Sequence, residues 1–209
     1  FTENLAPYRA ADKKFGFIGP DGKEAIPAKF EDDPSAYVWT HYAPEIGMAA
    51  GQYSLAVYEN SKLSMREMEA ARMRTAQING CALCLTMRAD RDLFGHIERS
   101  GGDVAKASSI RDNTPPGEGF YDDVENWRAA TGFSGRELLA IEFAERLGEE
   151  PKGLKTDEDF WNRMHQHFSD AEIVDMTFSI GSWIALGRLT HVLGLDDVCM
   201  PTMPQAAQI

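Results

Sequence analysis

The chain has 209 residues, enough for one domain with a sizeable core, and carries a formal net charge of −12. That charge argues against nucleic-acid backbones and anionic membrane surfaces as partners. No run is long and apolar enough to span a bilayer, and three cysteines are too few for a secreted disulfide scaffold. A Cys-x-x-Cys pair in such a chain reads as catalytic or sensing in a cytoplasmic setting. The chain begins at Phe1 and not at Met, which is read as a removed start and leaves an upstream targeting segment open.

Residues 1–43 are rich in Pro, Gly, Asp and Lys near their start, with Gly19-Pro20-Asp21-Gly22 a turn, and read as an extended arm. Phe15, Phe17, Ile18 and Phe30 predict that the arm lies on a surface, its own or a neighbour's. Pro44-Glu45-Ile46 is a helix start, with Pro in the first turn. Ile46, Ala49, Ala50, Tyr53, Val57 and Tyr58 then fall on or near one face.

A local device follows three times. Leu63-Ser64-Met65-Arg66-Glu67-Met68, Phe133-Ser134-Gly135-Arg136-Glu137-Leu138 and Phe168-Ser169-Asp170-Ala171-Glu172-Ile173 each place Ser as N-cap and Glu three residues on. Each also has an apolar residue before the Ser and another at the fourth helical position, so each is a capping box with a hydrophobic staple. The first two copies share Ser-x-Arg-Glu and stand 70 residues apart, which points to two related helical halves.

The predicted helices run from Met65 to about Ile78, from Cys81 to about Arg99, and from Val104 to Ile110. Others cover Asp122 to Ala130, Ser134 to about Leu147, Asp157 to Phe168, and Asp170 to about Leu193. Thr114–Gly119 is a loop. No stretch alternates long enough for a useful strand, so the fold class is all-α: a helical core over 44–195, with 196–209 an irregular tail.

The chemistry centres on Asn79-Gly80-Cys81-Ala82-Leu83-Cys84. Asn79-Gly80 ends the preceding helix in left-handed geometry and puts both cysteines in the first turn of the next. Sulfurs at i and i+3 share a face and stand close enough to bridge. Free N–H groups and the helix dipole there favour thiolate. A structural zinc site would need more ligands. The remaining cysteine is Cys199, and His165 and His167 are spaced by two, so no metal is expected. The alternative is a pair of buried cysteines acting as small apolar side chains among Ala82, Leu83, Leu85 and Met87. The Gly break and the charged neighbours favour redox.

Leu63-Ser-x-Arg-Glu-x-Glu69, Arg74 and Ala76-Gln77-Ile78-Asn79-Gly80-Cys81-x-x-Cys84 resemble the alkyl-hydroperoxidase D-like (AhpD-like), or carboxymuconolactone decarboxylase-like, family. Phe133-Ser-x-Arg-Glu, Ala144-Glu145, Phe168-Ser-Asp-x-Glu172-Ile173 and Gly187-Arg188 extend the resemblance over roughly 44–195. The resemblance implies an all-α multi-helix bundle that assembles into homotrimers or hexamers. It also implies a thiol peroxidase that takes a hydroperoxide, needs no bound cofactor and is recycled by an external dithiol reductant protein. By position, Cys84 would be the peroxidatic thiol, Cys81 the resolving thiol and Glu69 part of a proton relay. Glu69 could equally form a salt bridge to Arg72, Arg74 or Arg88.

The chain departs from the family where its peroxidases carry two histidines; Leu83 and Arg88 stand there. Arg88 cannot accept a proton near neutrality but can hold a neighbouring thiolate by charge. Its alternative role is a surface pair with Asp92. Arg188 and His191 share a face of the last long helix and could line the substrate pocket, or His191 could serve the helix C-terminus. His41, Tyr42 and Tyr53 precede the core and could cover the site, and His96 reads as surface. Trp39, Trp127, Trp161 and Trp183 read as core or subunit contacts. Two functions compete with the peroxidase: a lyase acting on an aromatic breakdown product, and a non-catalytic thiol sensor.

Overall fold

The computed structural model describes residues 6–9, 15–18, 24–30, 38–39, 42–107 and 114–196. His41, Cys199 and the tail prolines lie outside these residues, as do the predicted last turn at Ser108–Ile110 and the surface contacts of the arm.

The arm is not strand-free. Strands β1 (Ala6–Arg9), β2 (Phe15–Ile18) and β3 (Glu24–Phe30) form an antiparallel sheet in chain order. Pro7 pairs with Phe17, and Phe17 with Ile26, with irregular register around β2. Two of the strands have four residues, too short for alternation to register in sequence.

Helix α1 (Pro44–Asn60) starts on its proline. Only the end of its predicted inner face is buried, at Val57 and Tyr58, whereas Ile46 is 73% exposed. Helix α2 (Met65–Asn79) opens on the Ser64–Glu67 capping box and ends at Gly80, whose φ of 68° is left-handed. Both features match the sequence reading.

The single helix expected from Cys81 to Arg99 is broken into three pieces: α3 (Ala82–Thr86), a π-helical turn (Ala89–Leu93) and α4 (Phe94–Arg99). Side chains take the backbone groups that would have continued it. Arg72 donates to the carbonyls of Cys84 and Met87, Asp92 accepts from the N–H of Arg88, and the Tyr121 hydroxyl accepts from the N–H of Ala89. Val104–Lys106 is one 3₁₀ turn. Helix α5 spans Glu118–Asp123, earlier than predicted, and Trp127 is buried in the turns after it.

Helix α6 (Gly135–Glu149) opens on the second capping box and is followed by the short α7 (Pro151–Leu154). Helix α8 covers Glu158–His167, and α9, Asp170–Val192, opens on the third capping box. The Arg66 guanidinium donates to Glu137 at 2.5 Å, and Arg136 donates to Glu67 at 2.5 Å. Further along, Arg74 meets Glu145 at 2.7 Å. These contacts advance together, so α2 and α6 run side by side in the same direction, strapped at their starts by a reciprocal pair. Ala71, Ala140, Phe143, Ala144, Met176 and Ile180 fill the core among α2, α6 and α9.

Candidate active site

The cysteines stand where the capping and helix-ending signals place them. Cys81 is the N-cap of α3, and the Cys84 N–H points at its sulfur at 3.3 Å. The two sulfurs are joined as a disulfide, with Cα atoms 5.3 Å apart. Their exposures differ: Cys81 is sealed, whereas Cys84 is partly buried.

Beneath the pair lies a buried ion pair. Glu69 and Arg72, one turn apart on α2, meet at 2.7 and 2.9 Å, and the Tyr121 hydroxyl donates to the same carboxylate at 2.7 Å. Burial works against the Arg72 charge, but the adjacent Glu69 carboxylate outweighs it and holds the guanidinium protonated more firmly than usual. Burial first, and then Glu69, pushes the Tyr121 phenol up, which keeps it neutral and a donor. Arg72 gives two further donors to the Cys84 and Met87 carbonyls, at 2.7 and 3.0 Å. Glu69 therefore addresses the cysteine turn through Arg72, which the sequence reading had as one of three candidate ion-pair partners.

Arg88 turns to Glu118 at 2.9 Å, to the Leu85 and Met87 carbonyls, and over the Tyr121 ring at 4.3 Å. Among the described contacts it has none with a sulfur. Its backbone N–H, and not its side chain, meets Asp92.

Helix α9 closes the other side. A Cβ added to Gly187 would stand 3.6 Å from the Cys84 sulfur and 2.7 Å from the Asn79 amide nitrogen, so a larger residue there would have to displace the Asn79 side chain. Arg188 donates to the Asn79 side chain at 2.9 Å and to the Gly148 carbonyl, and the Asn79 amide donates to the Trp183 carbonyl. His191 lies over Gly80 and its Nδ1 meets Asp196 at 2.9 Å. Gly187, Arg188 and His191 thus all face the Asn79–Cys84 segment.

Tyr53 packs on α9: its hydroxyl donates to the Phe178 carbonyl at 2.7 Å and lies 3.6 Å from where a Gly181 Cβ would be, six residues, or about 9 Å of helix, before Gly187. His96 is not a surface residue: its ring packs edge-on against Tyr58 at 5.3 Å, and burial lowers its pKa. Asp196, Tyr121 and Glu118 were missed, because each reaches the cysteine turn from at least 30 residues away in sequence.

No protein-family model and no curated protein sequence matches the chain. Among solved structures, one match is the crystal structure of a protein of unknown function from Agrobacterium tumefaciens, described as a candidate antioxidant defence protein AhpD. The match has a TM-score of 0.52 and 22% identity, and covers 74% of this chain and 91% of that one. The chain has the AhpD-like fold. The all-α reading of the core is thereby established, and within this AhpD-like frame the disulfide sits at the junction of α2 and α3. No helix among the described residues is long and apolar enough to cross a membrane.

Proposed function

We propose that the protein is a thiol-dependent peroxidase whose Cys81–Cys84 pair cycles between dithiol and disulfide. One observation carries this reading: the two sulfurs are bonded, with Cys81 sealed and Cys84 only partly buried. In the reduced protein the Cys84 thiolate attacks the terminal oxygen of a hydroperoxide. The O–O bond breaks, the alcohol leaves with a proton, and Cys84 becomes a sulfenic acid. Cys81 attacks that sulfur, water leaves, and the disulfide forms. A dithiol reductant protein then attacks Cys84 and releases both thiols.

In this reading Glu69 holds Arg72, and Arg72 fixes the carbonyls of the cysteine turn, so both are positioning residues. Arg88 supports the same turn through its own carbonyl contacts. No bound cofactor or metal is needed. The proposed setting is cytoplasmic, where a dithiol reductant is at hand. The protein is proposed to work as a homo-oligomer, a trimer or hexamer. Exposed Ile46, Phe178 and Val192 on α1 and α9 favour such association.

The test is peroxide consumption with a dithiol reductant, together with a thiol count. The wild type should lose two thiols per peroxide in single turnover and continue when reductant is present. Cys84→Ser should fall to the buffer background. Retained turnover in Cys84→Ser overturns the assignment, and a protein that oxidises once without turnover is a sensor.

A further inference from the structure

The residues at positions 83 and 88 are Leu and Arg, and neither can carry a proton to or from a sulfur near neutrality. The cysteine pair nevertheless has an imidazole beside it, supplied by α9 and set by the segment after that helix. His191 stands four residues after Gly187, so the two positions share one face of the helix, with Cβ positions about 5–6 Å apart. The Cys84 sulfur lies against Gly187, and the His191 ring lies against Gly80, with Nε2 3.5 Å from where a Gly80 Cβ would be. Sulfur and imidazole therefore lie against positions one helical turn apart on the same strip of α9.

Asp196 sets the ring. Its carboxylate is buried and accepts from two donors on the same oxygen, the His191 Nδ1–H at 2.9 Å and the Ala82 N–H at 2.9 Å. Burial would raise the Asp196 pKa, but those two bonds outweigh it and keep the carboxylate ionised. In the neutral ring, an ionised partner on Nδ1 places the proton on that nitrogen and leaves Nε2 as an acceptor. The ring is about half exposed, at 49%, so it can exchange its proton with water. Asp196 thus touches the residue between the two cysteines and the imidazole at once.

We propose that the His191–Asp196 dyad is the proton carrier of the Cys81–Cys84 pair, with His191 exchanging the proton and Asp196 as its positioning residue. This rests on the thiol-exchange chemistry given above. In oxidation, His191 Nε2 takes the Cys84 thiol proton. The sulfur electron pair attacks the terminal peroxide oxygen, the O–O bond breaks, and the departing alkoxide takes the proton back from the imidazolium. In reduction, an external thiolate attacks the Cys84 sulfur. Cys81 leaves with the S–S bonding pair and takes its proton from the imidazolium, which His191 formed by taking the proton of the attacking thiol; the reductant's second thiol then attacks its own sulfur in the mixed disulfide and releases Cys84 as the second thiol.

The test measures two rates in the full-length protein: oxidation of the reduced protein by tert-butyl hydroperoxide, and reduction of the disulfide by dithiothreitol. His191→Ala should slow both, by about 100-fold if the dyad acts as a general acid–base. Added imidazole should restore a substantial part of the loss, whereas His191→Asn should stay slow. Asp196→Asn should slow both rates by less.

Unchanged rates in His191→Ala overturn the dyad and leave the peroxidase reading standing. A slow His191→Ala that imidazole does not rescue, while His191→Asn is fully active, makes the ring a packing element and also overturns it. The opposite failure is separable. If the wild type does not react with the peroxide, but dithiothreitol reduction slows in His191→Ala and recovers with imidazole, the dyad stands and the peroxidase reading falls.

Discussion

The two halves of the helical core share a beginning and differ at their end. Helices α2 and α6 both have 15 residues, both open on Ser-x-x-Glu capping boxes, and both give way to a short helix. Shifted by 70 residues, Cys81 corresponds to Pro151, Cys84 to Leu154, Glu69 to Leu139 and Arg72 to Glu142. Where the first half has the disulfide and a buried ion pair, the second has a proline helix start and two buried leucines. The shared part is what builds a helix pair. The differing part is polar, so the first half gives up hydrocarbon packing for a charged group wired to the cysteine turn. A buried ion pair is a poor source of stability compared with apolar packing, which fits a functional origin for the difference.

The largest break in this comparison should come from Arg72→Ala. It leaves Glu69 buried without its cation and should cost about 3–5 kcal/mol in denaturant unfolding. Arg163→Ala removes the partner of Glu142, the corresponding position in the second half. That pair is 2.7 Å long, but its arginine is 47% exposed, so the loss should stay below about 1 kcal/mol. Equal losses would mean that the first-half pair is no more isolated from water than the second.

The shared beginnings can be tested with Ser64→Ala and Ser134→Ala, each expected to cost about 1 kcal/mol. Because Arg66 reaches Glu137 and Arg136 reaches Glu67, the two caps are coupled. The double variant should depart from the sum of the singles by about 0.5 kcal/mol or more. Strict additivity would show that the straps do not join the two helix starts energetically.

The smallest effect concerns pH at the third capping box. Burial pushes the Glu172 carboxyl up, but the Ser169 N–H, the Arg136 guanidinium and the Ser169 hydroxyl outweigh it and bring it down to about 2. A carboxyl lowered by folding adds stability that is fully present above its unfolded value and is lost as pH falls toward the folded one. Wild type should therefore lose stability between about pH 4.5 and pH 2, and Glu172→Gln should lose less over that window. Identical acid slopes in the two proteins would remove Glu172 from the account.

Much of this was legible in residues close together in the chain. Ser64, Ser134 and Ser169 are N-caps because a cap needs only a hydroxyl and a carboxylate three positions on. Gly80 ends α2 because a left-handed φ needs no Cβ. What failed were runs whose backbone groups are claimed from far away. The helix expected past Thr86 was undone by Arg72 and Tyr121, and the inner face expected for α1 stayed exposed at Ile46.

Local signals in the chain set where helices begin, that two cysteines share one turn, and that the two halves echo each other, since capping, periodicity and spacing act within a few residues. It took packing to pair Glu69 with Arg72 beneath that turn, to face Arg88 to Glu118, and to bring Gly187, His191 and Asp196 onto the Asn79–Cys84 segment from more than 100 residues away. Hydrogen bonds and ion pairs depend on distance in space, and chain separation carries almost no information about it until the core is packed.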